Sequence, residues 1–157
     1  MLADRTRVEV RRRFAAGPEQ VFAAFAEARL VGRWLSPSPE ITLTLLQFDF
    51  REGGAYRFAY GVPGGQTVVV AGRYRSIEPP SKIVFSWTIE PPDEHAGIES
   101  EVTVTIRRDG GETELVIRHE KLTRAGAAAR HDEGWRGALD QLARMMEAEG
   151  LPAQGKG

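Results

Sequence analysis

An α+β fold, with a curved antiparallel sheet of six to seven strands wrapped around one long carboxy-terminal helix, follows from three observations. From Ile41 to His119 the chain alternates apolar and polar residues in six runs separated only by turn residues. From about Thr123 to Glu149, Trp135, Ala138, Leu139, Leu142, Met145 and Met146 recur at helical spacing on one stripe, while Arg130, Asp132, Glu133, Arg136, Asp140, Arg144 and Glu147 take the other sides. One strand and two short helical segments precede the six runs.

Arg7 to Phe14 sets Val8, Val10 and Phe14 against Arg7, Glu9, Arg11 and Arg13, a strand with one wet face. Glu9 interrupts the arginines and no aromatic platform is interleaved, so this reads as a solvated face and not as a nucleic-acid patch. Pro18 then stands at the first turn of a helix, where its missing N–H costs nothing, with Val21, Phe22 and Phe25 as the apolar face. After Glu27 a second short helix carries Leu30, Val31 and Trp34 and ends before Pro37 and Pro39.

The spacing predicts strands at 41–50, 54–61, 66–77, 82–90, 100–108 and 112–119. Between them stand Glu52-Gly53-Gly54, Pro63-Gly64-Gly65, Pro79-Pro80-Ser81, Pro91-Pro92-Asp93 and Asp109-Gly110-Gly111. Short connections make an antiparallel meander. By parity, Tyr56, Phe58 and Tyr60; Val68, Val70, Gly72 and Tyr74; Ile83, Phe85, Trp87 and Ile89; Val102, Val104 and Ile106; and Leu115, Ile117 and His119 share one dry face. Arg57, Arg73, Arg75, Arg107 and Arg118 fall on the other. The dry face is where the long helix belongs. Thr123 is its expected cap and Gly150 with Pro152 its stop, giving a rod of roughly 37 Å.

With 157 residues, 21 Lys plus Arg against 22 Asp plus Glu, and 41% hydrophobic residues, the chain reads as one ordinary globular domain over residues 1–150 with a tail at 151–157. A net charge of −1 gives no global field toward nucleic acid or anionic membrane. Without Cys there is no disulfide or thiolate chemistry. The first residues lack the apolar run of a signal peptide, and no run approaches membrane-spanning length, so a cytoplasmic location is the default expectation.

His95, His119 and His131 are too widely spaced for a metal-ligand motif, and neither a metal nor a cofactor is expected. His131 lies one turn before Trp135 on the same helix face, either as a polar handle for a ligand and a proton donor or as a hydrogen-bonded residue at the core edge. Trp34, Trp87 and Trp135 bring apolar area with one N–H each, and Tyr56, Tyr60 and Tyr74 put hydroxyls on a dry face where they need partners. Gly134 and Gly137 each cost the long helix about 1 kcal/mol relative to Ala, which close approach to a strand or room for a ligand would explain. No G-x-S-x-G, Walker loop, G-x-G-x-x-G or H-E-x-x-H occurs.

Several pieces in order carry a resemblance: Pro18-x-x-Val21-Phe22, Leu30-x-x-x-Trp34, Gly53-Gly54-x-x-x-Phe58, and Gly72-x-Tyr74-x-x-Ile77-x-Pro79-Pro80-x-x-Ile83-x-Phe85-x-Trp87. Thr113-x-Leu115-x-x-x-His119 and His131-x-x-x-Trp135-x-x-x-Leu139-x-x-Leu142 complete it. The chain resembles the helix-grip fold of the START-like, birch-pollen-allergen-like superfamily, and within it the group named for the heat-shock-protein-90 ATPase activator homologues. Leu35 stands where this group often has a second Trp. The resemblance implies a cavity between sheet and helix, used across the superfamily for lipids, polyketides and hormones, without implying one reaction. Trp34, Phe58, Tyr60, Tyr74, Trp87 and Trp135 are then expected to converge with His131 around one mostly apolar volume.

The expected function is binding of a small apolar or amphipathic molecule. A cavity enzyme of cyclase, dehydratase or hydrolase type using His131 or a pocket Tyr is the alternative. A co-chaperone or stress-response interaction domain is the third reading, although the eukaryotic activators carry an additional amino-terminal domain for which 157 residues leave no room. A homodimer is compatible with all three.

Overall fold

The structure, a computed structural model, is described for residues 5–148. β1 (Val8–Phe14) leads into α1 (Pro18–Ala26) and α2 (Ala28–Trp34); then come β2 (Thr42–Phe48), β3 (Ala55–Gly61), β4 (Thr67–Glu78), β5 (Lys82–Ile89), β6 (Ser100–Asp109), β7 (Glu112–Glu120) and α3 (Ala127–Ala148). The strands form one seven-stranded antiparallel sheet in the order β1-β7-β6-β5-β4-β3-β2. The meander expected from its turns is therefore present, and β1 returns beside β7 in unbroken register from Val8↔His119 to Phe14↔Thr113.

The dry face is as parity predicts. Tyr56, Phe58, Tyr60, Val70, Tyr74, Ile83, Phe85, Trp87, Ile89, Val102, Val104, Ile106, Leu115, Ile117 and His119 are all buried. The arginines of β1 project outward into ion pairs, Arg11 with Glu9 and Glu114, Arg13 with Asp109 and Glu112. These are exposed pairs of small individual worth. Arg12 instead reaches past the sheet edge to Asp140 on α3, 2.6 Å away.

The sheet bends at Gly72. A Cβ there would lie 2.0 Å from the Ser86 carbonyl oxygen and 2.7 Å from the Tyr56 ring, so only glycine lets β4 cross β5 this closely. The local ladder is rebuilt from side chains: Ser86 Oγ accepts the Arg73 amide at 2.9 Å and the Tyr56 hydroxyl donates to the Ser86 carbonyl at 2.6 Å. A register shift between Tyr74 and Ser76 completes the curvature.

α3 lies across the concave face with its expected stripe buried, and Ala127, Ala128 and His131 extend that stripe toward the amino end. It begins at Ala127, not after Thr123. Gly126, at φ +85°, turns the chain, and its carbonyl accepts the first helical bond from Arg130 at 3.2 Å. The described helix has 22 residues and is about 33 Å long. Its stop at Gly150 and the tail at 151–157 lie outside the described residues.

The mid-helix glycines face a loop, not a strand. A Cβ on Gly137 would stand 1.9 Å from the Pro37 carbonyl oxygen, in the segment joining α2 to β2, whereas a Cβ on Gly134 would meet only the Pro37 side chain at 3.8 Å. Gly137→Ala is therefore expected to lose about 1–3 kcal/mol to the clash despite its better helix propensity. Gly134→Ala is expected to gain up to about 1 kcal/mol. Urea midpoints of the two variants test the contrast; equal shifts would show that the Pro37 contact does not constrain the helix.

Candidate ligand-binding site

A cavity of about 400 Å³ opens between α3, the β3–β5 end of the sheet and the loop after α2. Tyr60, Val70, Trp87 and Ile89 form its sheet wall, His131, Gly134, Trp135 and Ala138 its helix wall, and Leu35 to Ser38 with Ile41 its third side. The loop is fastened by Gln141 of α3, whose amide donates to the Ser36 carbonyl at 2.7 Å and to Ser36 Oγ at 3.0 Å. With Gly137 against Pro37, these bonds fix how far loop and helix stand apart.

Of the residues expected to converge, Tyr60, Trp87, His131 and Trp135 line the cavity. Trp34, Phe58 and Tyr74 do not. Trp34 is fully buried between α1 and α2, donating to the Ala24 carbonyl at 2.8 Å and meeting Phe25 edge-on at 5.0 Å. Phe58 and Tyr74 share the dry face but belong to its solid end, where Phe48 and Phe50 fill the space: Phe50 packs on Tyr74 at 4.9 Å and Phe48 on Phe58 at 6.3 Å.

Behind the cavity wall runs a polar chain through two histidines. The Trp135 indole donates to His119 Nδ1 at 3.0 Å. An indole N–H only donates, so Nδ1 accepts and His119 carries its proton on Nε2, 2.7 Å from Ser100 Oγ. Ser100 passes its own hydroxyl proton to the Trp87 carbonyl at 2.9 Å. The Trp87 indole donates to His131 Nε2 at 3.1 Å, which leaves the His131 proton on Nδ1, directed at the Ala127 carbonyl at 2.8 Å. Burial, reinforced for His119 by the neighbouring His131, lowers both pKa values, so both rings are neutral near pH 7. The two rings meet edge-on at 4.7 Å.

This arrangement changes what His131 offers. It stands at the cavity as expected, yet both its nitrogens are paired within the protein. Serving as a handle or a proton donor would require breaking one of those bonds. Tyr60 is different. Its hydroxyl makes no hydrogen bond among the described residues, and burial raises its pKa well above the usual phenol value, so it is a neutral donor and acceptor at the cavity.

Beside the mouth, Arg130 grips Asp93 in a bidentate pair at 2.7 and 2.8 Å. The hydrogen bonds from Arg130 hold the Asp93 carboxyl down at about 2. This pair and the bonds from Arg124 to the Glu94 and Ala96 carbonyls tie the loop 90–99 to the start of α3. Behind Trp87, Ile89 and His131 lies a second space of about 10 Å³, lined also by His95, whose Nδ1 is buried without a hydrogen-bond partner among the described residues.

The profile of the family described as activator of Hsp90 ATPase homolog 1-like protein matches residues 15–147. The chain belongs to that family. Among solved structures, this family member is similar to a protein from Chromobacterium violaceum at 26% identity, with a TM-score of 0.82 over 91% of this chain and 99% of that one. It is likewise similar to the AHSA1 protein from Silicibacter pomeroyi (25% identity, TM-score 0.81, 91% and 99% covered) and to a protein from Rhodobacter sphaeroides (29%, 0.76, 91% and 93%). A search of curated proteins finds no relative. The helix-grip architecture of this Hsp90-activator-homologue-like chain is thus shared along nearly its whole described length, and it is a fold suited to holding small molecules. No helix among the described residues is long and apolar enough to cross a membrane, and none of the acidic and histidine side chains among them are grouped as a metal site.

Sequence reasoning missed His119, Ser100, Ser36 to Ser38, Gln141 and Glu133 as parts or supports of the site. His119 and Ser100 carried a signal, since each is a polar side chain at the end of an otherwise apolar series on the dry face. Ser36 to Ser38 and Gln141 carried none, because their roles depend on where a loop crosses the helix, and Glu133 read only as one of the charged residues on the outer sides of the helix.

Proposed function

We propose that this chain binds a small, mostly apolar molecule in the cavity between α3 and the sheet. The observation that carries the reading is the cavity itself: about 400 Å³, walled by two tryptophans, a tyrosine and aliphatic side chains, within the usual size of about 300–1,000 Å³ for ligand pockets. The polar chain beneath it supports the same reading, because it holds Trp87 and Trp135 in fixed orientations as a preformed wall. An acid–base role for His131 gains no support from a ring whose nitrogens are both engaged.

The test is a fluorescence titration with N-phenyl-1-naphthylamine. Saturable binding at one site is expected, and Gly134→Leu, whose side chain would enter the cavity, is expected to abolish it. Tyr60→Phe should leave this probe within about twofold of wild type but weaken 1-dodecanol, measured by displacement, by roughly three- to tenfold, the worth of one neutral hydrogen bond. Absence of saturable binding, or binding indifferent to Gly134→Leu, would remove the cavity as the ligand site.

A further inference from the structure

We propose that the cavity selects basic and neutral amphiphiles over carboxylates and phosphates, and that Glu133 at its mouth sets this preference; the inference rests on the cavity being the ligand site.

The polar groups that line the cavity decide it. Arg130 is the only cationic side chain among the described lining residues, and both of its terminal nitrogens are spent on Asp93, whose side chain is only 8% exposed. An incoming anion would have to compete with a bidentate, largely buried carboxylate for that guanidinium. The indole N–H groups of Trp87 and Trp135 are committed to His131 and His119, and His131 Nδ1 to the Ala127 carbonyl. Ser36 Oγ is held between Gln141 and the Ser38 carbonyl. Three lining side chains remain without a partner among the described residues: the Tyr60 hydroxyl, the Ser38 hydroxyl and the Glu133 carboxylate. Two hydroxyls can serve a neutral alcohol, amine or amide. The carboxylate attracts a cation and repels an anion.

Glu133 is exposed on α3 one turn after Arg130 and lines the cavity, so it stands where the cavity meets solvent. With Arg130 and Asp93 cancelling each other, it leaves one uncompensated negative charge at the mouth. A long-chain ammonium can therefore bury its tail against Trp87, Ile89 and Val70 and keep its head beside Glu133. A fatty carboxylate of the same length places its charge where no free cationic donor receives it. Because the pair forms at an exposed rim, the discrimination is expected to be moderate and dependent on salt.

The experiment displaces N-phenyl-1-naphthylamine with 1-dodecylamine, 1-dodecanol and dodecanoate, each below its micelle concentration, at pH 7.5 and low ionic strength. Wild type is expected to bind the amine about two- to fivefold tighter than the alcohol and the alcohol about two- to fivefold tighter than the acid, the range of an exposed charge pair. Glu133→Gln should compress the amine-to-acid ratio to about two, and Glu133→Lys should invert it. Raising salt to about 0.5 M should shrink the wild-type ratio while leaving the alcohol unchanged. Melting curves confirm that the variants fold, and the salt series on wild type stands independently of them. If wild type fails to bind the naphthylamine at all, the cavity reading falls and this inference with it. If the probe binds but wild type prefers dodecanoate, or the ratio is the same in Glu133→Lys, the cavity stands and the charge selection is overturned.

Discussion

Trp135→Ala is expected to lower the unfolding free energy by roughly 3–5 kcal/mol, the range for truncating a large buried aromatic. Trp135 is almost wholly buried, packs on Trp87 at 5.5 Å and on His119 at 6.1 Å, and is the first donor of the polar chain. Its removal enlarges the cavity and leaves His119 Nδ1 buried without its donor. The two losses act together, which places this variant toward the upper end of that range. Trp135→Phe separates them: it keeps most of the packing, and its cost reports the orphaned imidazole nitrogen. Urea denaturation is the measurement. A loss below about 1 kcal/mol for Trp135→Ala would show that α3 is not anchored on the sheet at this point.

Stability should also fall on mild acidification, before carboxylates contribute. His119 and His131 are buried as neutral rings, with pKa values below that of an unfolded histidine. Above about pH 6.5 both states are neutral and the folded protein keeps its full stability. As pH drops below that, the unfolded chain takes up protons that the folded rings refuse, and stability declines until the folded pKa values are reached. Each histidine contributes a slope of up to about 1.4 kcal/mol per pH unit, so the pair can approach twice that. The Asp93–Arg130 pair acts in a lower window: its contribution is present above about pH 3.8 and is lost as pH falls toward the Asp93 value of about 2. His119→Gln, which can still accept from Trp135 and donate to Ser100, should flatten the slope between pH 6.5 and 5 by about half. Unfolding midpoints that stay level from pH 7.5 to 5 in wild type would contradict the neutral, buried pair.

Much of this fold was legible because the turns between strands β2 to β7 hold Gly or Pro and most strands kept one parity; β2 and β4 changed theirs at the register shifts after Leu45 and Tyr74. Val102, Val104 and Ile106 could face only one way once the turn at Asp109 to Gly111 was recognised. The start of α3 was misplaced because Thr123 is a good cap by residue type, while the turn that begins the helix depends on the conformation of Gly126. For the site, parity assigned the correct face but carried no information on position along it. Tyr60 and Tyr74 were equivalent in the sequence; only the crossing of α3 and the segment 35–41 leaves one at the cavity and the other among phenylalanines. His131 was recognisable as a helix residue facing the sheet, but its engagement at both nitrogens requires Trp87 from a strand more than forty residues away.

The bonds linking Trp135, His119, Ser100, Trp87 and His131 start on α3, cross three strands and end on α3 one turn earlier. Trp135 opens the chain as a donor, each later member both accepts and donates, and the two imidazoles must hold opposite tautomers for the chain to run through to the Ala127 carbonyl. A stripe of Leu, Met and Trp alone would rest on a smooth apolar sheet nearly as well if the helix slid along its axis by a turn. The polar chain removes that freedom, since any such slip would strand two indole donors and two imidazole acceptors away from water. What looks like a polar flaw in the core is thus the key that sets the axial position of the helix, and with it the length and shape of the space left beneath.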